Sequence, residues 1–339
     1  MSRTPPPGVL AAGHWIVDHV KRIDHYPEEN ALATIGEQAQ GNGGCAYNLL
    51  KNLARLGASF PLRAAGLVGN DADGRWILDD CCAHGIDTTQ LRVHSDAPTS
   101  YTDVMTVGAT GRRTFFHQPG ANARLTEADV ELDAVPRHFH LGYLMLLDGL
   151  DRPGDDGLSG AARLLRAARE KGAVTSVDFV TVDHPEFAAW SRCALPLIDV
   201  LIANEAELAR LTQMPAFDPG DPVLEQRLVE GARQLIDAGV QRWVVVHYEG
   251  GAVAVSSGGA VVTQPAVKVP SEAIRGAAGA GDGFAAGLLL GLHESCAMAE
   301  CLRWAVSVAA ISLHEVTCSE AIGPLSRCLA QAQHYGFRS

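Results

Sequence analysis

The chain has 339 residues, 47% hydrophobic and 19% charged, with a formal net charge of −12. That length and balance suit an ordinary globular core without a long disordered tail. The acidic balance argues against a nucleic-acid or anionic-membrane surface, which needs clustered Lys and Arg, but leaves room for a nucleotide in a local pocket. No run approaches the roughly 18 apolar residues of a membrane span, and the polar start, Met1 to Gly8, has no signal-peptide core. Eight cysteines are scattered without a C-x-x-C pattern, so reduced thiols and a cytoplasmic setting are expected.

In chain order, Val9 to Ile35 reads as strands, with a turn at Tyr26-Pro27. Gly41-Asn-Gly-Gly44 breaks the chain before a helix whose apolar residues Ala46, Leu49, Leu50, Leu53 and Leu56 keep helical spacing, closed by Gly57. A strand over 62–68 and a helix over 73–84 follow. Residues 101–107 and 112–117, joined by Gly108-Ala-Thr-Gly111, read as a hairpin. With the early strands, this hairpin is expected to form a small sheet apart from the main body.

From about Phe139 onward, strands over 139–144, 173–179, 197–202 and 243–247 alternate with helical stretches over 161–171 and 224–238. That rhythm predicts a largely parallel sheet covered by helices on both faces. An antiparallel addition is expected at 253–255 and 261–264, then closing helices over 282–292, 297–313 and 322–335. Neither a repeat nor a linker divides the chain, so a single α/β domain over 1–339 is expected. Its small sheet would come from about 14–40 and 98–118, with the site beyond the C-terminal ends of the parallel strands.

One stretch carries unusual chemistry. In Gly276-Ala-Ala-Gly-Ala-Gly-Asp282, small residues surround one charge, and an apolar helix follows. Backbone this bare can approach a ligand and aim successive N–H groups at it, and a helix N-terminus favours an anion. A carboxylate there makes sense if Asp282 takes the proton from a hydroxyl that attacks a phosphate. The bland alternative is tight packing with Asp282 as N-cap. A dinucleotide reading fits poorly, because that motif opens the first βαβ unit.

Asn204-Glu-Ala-Glu207 follows a strand and opens a helix, where it spells a capping box. Asn48 sits just past Gly43-Gly44, and Asp18 lies inside an early strand, where exposure at an edge is the plain reading. His138 and His140 alternate on a strand, but the sequence offers no third ligand for zinc.

Taken together, these segments resemble the ribokinase-like (PfkB) carbohydrate kinases. Gly279-Ala-Gly-Asp282 with Phe284 and Gly287 is similar to the family's C-terminal signature. Gly43-Gly44, Asn48, Leu53, Leu56 and Gly57 are similar to its N-terminal one. Between them, Val68-Gly-Asn-Asp71 with Gly74, Gly111-x-Arg113, Gly120-Ala-Asn122 and Asn204-x-x-Glu207 keep the family's order. The resemblance implies a ribokinase-like fold with a β-sheet lid, ATP and Mg2+ as cofactors, and a sugar or related polyol as phosphate acceptor. A nucleoside kinase, or a kinase-like protein that binds a sugar or partner without turnover, are the alternatives.

By the same resemblance Asp282 is the base, and the N–H groups of Gly279, Ala280 and Gly281 form the anion hole. Asp18, Gly43, Gly44 and Asn48 would bind the acceptor. Asn204 and Glu207 would order the cofactor, Glu207 reaching Mg2+ through water. A homodimer through the lid is expected.

The chain departs from the family in several places. Gly276-Ala277 stands where Asp-Thr is usual, Thr317–Glu320 replaces a Gly-Ala loop, and Cys45 occupies a frequent lysine position. These changes bear on the monovalent-ion site and on the acceptor.

Overall fold

The computed structural model describes residues 8–221 and 223–338; the polar stretch through residue 7 lies outside them. Strand β1 (Val9–Ala12) anchors both halves of the core. Val9 and Ala11 pack into one apolar cluster and Leu10 and Ala12 into the other, as the two-residue period of a strand dictates.

After β1 the chain forms β2 (Ile16–Ile23) and β3 (Ile35–Gly43), then α1 (Cys45–Leu56), β4 (Leu62–Gly69), α2 (Ala72–Ala83) and β5 (Asp87–His94). The hairpin β6 (Ser100–Val107) and β7 (Arg113–Gln118) follows. The alternating half comprises β8 (His138–Leu144), the short α3 (Asp148–Asp151), α4 (Gly160–Glu170), β9 (Val174–Phe179), the short α5 (Phe187–Ser191) and β10 (Val200–Asn204). Then come α6 (Glu205–Thr212), α7 (Leu224–Asp237), β11 (Trp243–Tyr248), β12 (Gly251–Ser256) and β13 (Val261–Pro265). Helices α8 (Ala280–His293), α9 (Met298–Ser312) and α10 (Leu325–Tyr335) close the chain.

The main sheet has nine strands in the order β13-β12-β11-β10-β9-β8-β1-β4-β5. From β11 to β5 every neighbour is parallel, while β12 and β13 add on antiparallel. This is the largely parallel α/β arrangement expected from the sequence. A separate four-stranded sheet, β3-β2-β6-β7, stands beside it, with β2 and β6 parallel. Its strands run slightly beyond the expected ranges, since β3 continues through Gly43.

Helix α1 shows why these residues fold as they do. Gly57 takes the left-handed conformation at φ 88° and its N–H satisfies the carbonyls of Leu53 and Ala54, as a helix C-terminus favours. Leu49, Leu50 and Leu53 are fully buried, each contributing about 1.5–3 kcal/mol of apolar burial. Truncating Leu53 to Ala is expected to cost about 2–5 kcal/mol.

Besides shifts of a residue or two at element ends, the structure departs from expectation at β5, β10 and α10. β5 was not anticipated: only Leu91 of its residues is buried, so the sequence lacks a strand's apolar alternation. β10 begins at Val200 because Leu195–Leu197, with Pro196, forms a 3-10 turn first. α10 starts at Leu325, just past Pro324. All eight cysteines are free thiols. No helix among the described residues is long and apolar enough to cross a membrane.

Candidate active site

The carboxyl ends of the parallel strands converge on one cavity of about 540 Å3. Tyr143 comes from β8, Asp178 from β9, Asn204 from β10 and His247 from β11. Asp18 and Thr102 enter from the small sheet, and Gly279 to Asp282 from the start of α8. An adjoining cavity of about 720 Å3 shares Arg113, Asn204, His247, Ala277, Ala280 and Gly281 with the first. Two chambers therefore meet at the glycine-rich turn.

Asp282 is buried there, 3% exposed. Asn48 donates from Nδ2 to its Oδ2 at 2.8 Å, and the Tyr143 hydroxyl donates to both oxygens at 3.1 Å. Burial, and next the charge of Asp178, raise its pKa to about 7, against the pull of those two hydrogen bonds. A carboxyl group poised near neutrality can accept a proton from a hydroxyl. Asp282 does not cap α8: the N-cap is Gly279, and no side chain caps this end.

The turn needs its glycine. Gly279 has φ 73°, and a Cβ there would lie 2.5 Å from Cβ of Cys318. Among the described residues, the N–H groups of Gly281 and Asp282 find no acceptor. They stand free at the positive end of a 14-residue helix. Gly281 is different, because a Cβ on it would meet the His247 ring at an ordinary 3.5 Å.

Asn204 and Glu207 form the full capping box of α6. Glu207 Oε2 accepts from the Asn204 N–H, and Oε1 from Asn204 Nδ2 and the Thr181 hydroxyl, all at 2.9 Å. Both residues also line the cavity, so the capping and functional readings coincide. Burial raises the Glu207 pKa to about 7. With both oxygens already hydrogen-bonded, the carboxylate suits a cation held through water better than one bound directly.

Of the expected acceptor residues, Asp18, Gly44 and Asn48 line the cavity, and Gly43 does not. A Cβ at Gly43 would sit 2.3 Å from Asp18 Oδ1, so this glycine makes room for the carboxylate. Asp18 is not the exposed edge residue of the plain reading. Its pKa is raised to about 7 by burial and by Asp282. Asn48 has its Oδ1 taken by Asn42 at 2.6 Å and its amide turned to Asp282, so it holds the carboxylate as well as facing the cavity.

Sequence reasoning missed Tyr143, Asp178, Cys318 and the anchoring pair Asn42 and Ser319, whose side chains are 2.8 Å apart. Their partners lie far away in the chain, and no local pattern marks them. Tyr143 stands at φ 56°, a left-handed conformation that is uncommon for a bulky residue; its N–H is held by Asp178 Oδ1 at 2.9 Å. The zinc expectation also changes: His138 lies beside His293, whereas His140 meets Cys45 and Asp178.

Four carboxylates, Asp18, Asp178, Glu207 and Asp282, line the cavity with Arg113 as the permanent cation among the described residues. Among the described residues, Arg113 Nη1 and His117 Nε2 are buried without a hydrogen-bond partner. Such orphaned groups are costly unless a ligand satisfies them.

The model of the pfkB family of carbohydrate kinases matches residues 9–323, and the chain belongs to that family. It is thus an enzyme of the sugar kinase class. It is 25% identical over 312 residues to a nucleoside kinase of Methanothermobacter thermautotrophicus, covering 91% of this chain and 89% of that protein. It is also 25% identical over 313 residues to ribokinase of Arabidopsis thaliana, covering 90% of this chain and 76% of that protein. The solved structure of Arabidopsis thaliana ribokinase complexed with ribose and ATP superimposes with a TM-score of 0.77 at 22% identity, over 97% of this chain and 99% of that one. That last likeness is one of fold.

Proposed function

We propose that this enzyme transfers the γ-phosphoryl group of ATP to a hydroxyl of an unphosphorylated sugar or related polyol. The observation that carries the reading is the near-neutral, buried Asp282 beside the free N–H groups that open α8. The acceptor occupies the first cavity and the nucleotide the second, so the attacking oxygen and the phosphoryl group meet at the turn.

ATP supplies the phosphoryl group, and Mg2+ neutralises charge on its phosphates. Asp282 takes the proton from the attacking hydroxyl. Asn48 and Tyr143 keep its carboxylate aimed. Of the three backbone N–H groups expected to hold the moving group, that of Ala280 is turned to Ala277 O at 3.4 Å; those of Gly279 and Gly281, together with Asp282, stabilise its negative charge. Asn204 and Glu207 hold the cation's waters, an arrangement that suits Mg2+, which keeps most of its hydration. Asp18, Gly44, Asn48, Arg113 and His117 bind acceptor hydroxyls, and the small sheet acts as a lid that excludes water.

The acidic lining favours a neutral acceptor. A nucleoside acceptor is the second reading: Phe115, 56% exposed, lines the cavity and offers a face for a base, and one relative is a nucleoside kinase. A role without turnover has no support in a site whose carboxylate and free N–H groups are both in place. The lid also presents exposed Ile35 and Phe116 with open edges at β3 and β7, which supports dimerisation through it. The test is ADP release with Mg-ATP across sugars, sugar acids, polyols and nucleosides. Turnover of a neutral sugar or polyol is expected, and a response to nucleosides alone would replace this reading with the second.

A further inference from the structure

Three side chains from distant parts of the chain meet behind the acceptor cavity, and the phosphotransfer reading leaves Cys45 and His140 without a task. Cys45 opens α1, His140 lies in β8 and Asp178 in β9. Cys45 Sγ is 3.1 Å from His140 Nε2 and 2.9 Å from Asp178 Oδ2, and His140 Nε2 is 3.6 Å from Asp178 Oδ1. Cys45 and His140 are fully buried and Asp178 is 6% exposed.

Each of the three is oriented by a neighbour. Ser176 Oγ lies 2.9 Å from His140 Nδ1, which fixes the ring with Nε2 towards the sulfur. Tyr143 N–H holds Asp178 Oδ1 and leaves Oδ2 facing Cys45. A Cβ at Gly142 would lie 2.3 Å from Cys45 Sγ, so the bare backbone of β8 is what admits the sulfur. The thiol sits in the first turn of α1; burial and the neighbouring Asp178 hold it protonated in the absence of a cation. A thiol is a weak hydrogen-bond donor and a poor partner to share between Asp178 Oδ2 and His140 Nε2.

We propose that Cys45, His140 and Asp178 form a binding site for a zinc-class divalent cation, with the fourth position open to water. Sulfur, nitrogen and oxygen ligands in one buried set suit zinc, whereas the nucleotide's magnesium takes oxygen ligands alone. The second neighbours match the usual support of metal-bound histidine and carboxylate. Zn–S bonds of about 2.3 Å and Zn–N bonds of about 2.0 Å set the S···N separation near about 3.5 Å in a tetrahedral site, so the ligands spread by a few tenths of an ångström on uptake. The thiol proton leaves to solvent as the metal–sulfur bond forms. Thiolate and carboxylate then balance the ion's two charges. Asp178 also lines the cavity, which gives the ion its route in. The bound ion would tie the first turn of α1 to β8 and β9.

The experiment is titration of the metal-free full chain with Co2+ and then Zn2+, read by absorbance and by thermal melting, with no substrate present. One equivalent of Co2+ is expected to give a thiolate-to-cobalt charge-transfer band in the near ultraviolet. Zn2+ should displace it and raise the Tm, since a ligand that binds only the folded state stabilises it. Cys45→Ala and His140→Gln should each abolish the band and weaken zinc binding by about 100-fold or more, while Cys82→Ser, at an exposed thiol, changes nothing. If Cys45→Ala does not fold, His140→Gln decides, because Gln keeps a polar partner for Ser176. Absence of a charge-transfer band, or a band that survives His140→Gln, overturns the site.

Discussion

The Tyr143 hydroxyl reaches both oxygens of Asp282 at 3.1 Å, across 139 residues of sequence. This hydrogen bond favours the ionised carboxylate and so lowers the Asp282 pKa against the larger upward push of burial and Asp178. Tyr143→Phe is therefore expected to move that pKa upward from about 7. A base works only when deprotonated, so the acid limb of kcat/KM should shift to higher pH while the high-pH plateau is largely kept. Measuring the pH profiles of both proteins checks this, and an unmoved or lowered limb contradicts it.

Asp282→Asn should lose about 10²–10⁴-fold in kcat yet fold well. It should also be the more stable protein in mild alkali. The wild-type carboxyl has a folded pKa of about 7 against an unfolded value of 3.8, so its favourable contribution is full below the unfolded value and is lost as pH rises through about 7. Burying the charge then costs at most about 4 kcal/mol at pH 8. Melting both proteins at pH 5 and pH 8 should show the variant's advantage growing with pH. A constant difference would show that Asp282 is not the strained group.

Gly281→Ala separates ligand binding from folding. The added methyl meets only His247, at 3.5 Å, in ordinary contact, and removing a helical glycine contributes about 0.5–1 kcal/mol of stability. The same methyl stands where both cavities meet. The Tm is expected to hold or rise while kcat falls by about 10²-fold, the scale of a small misplacement of reacting groups. Full turnover in this variant would remove the turn from the mechanism.

The acceptor should carry no phosphate. A bound phosphate calls for cations at close range, and the cavity offers Arg113 against four carboxylates. Paired assays of a sugar and its phosphate should favour the parent sugar. A preference for the phosphate that disappears in Arg113→Ala would show that this guanidinium is a phosphate site.

Turnover should not depend on potassium. A weakly hydrated cation behind the turn needs a nearby carboxylate or a ring of carbonyls. Gly276 supplies no carboxylate, and its N–H is directed to Leu313 O at 3.3 Å. Glu320, the nearby acid in the late loop, is paired with Lys51 at 3.1 Å and Arg55 at 3.4 Å. Equal kcat in potassium and sodium at constant ionic strength is expected; a potassium-specific rise of an order of magnitude would refute it.

The sequence made the main architecture readable because the doubly buried strands are short apolar runs and amphipathic helices such as α1 and α4 carry their own period. The α1 stripe and its closing Gly57 are local signals, as are the capping box at Asn204 and the bare turn before α8. What escaped depends on distance along the chain. β5 is a polar edge strand whose only sign is its place beside β4. Tyr143 looks like one more apolar strand residue until the fold sets it against Asp282. His138 and His140 showed no third ligand because Cys45, the neighbour of His140, lies 95 residues earlier. Register and side-chain direction create such contacts, and neither is written in local composition.

Helices α8, α9 and α10 bring Phe284, Leu288, Leu302 and Cys328 to the side of the sheet that already holds Val9 and Ala11. On the ribosome this wall emerges after every strand of the sheet. The opposite side receives its cover earlier, from α4 to α7, whereas this side has only α1 and α2 until the last helices emerge, so part of it stays open to water. At a synthesis rate of about 5–20 residues per second, the stretch after β13 takes roughly 4–15 s to appear. During that interval the uncovered apolar surface is prone to aggregation. A message truncated after β13 yields a sticky, catalytically mute product, since the final wall and Asp282 come off the ribosome together.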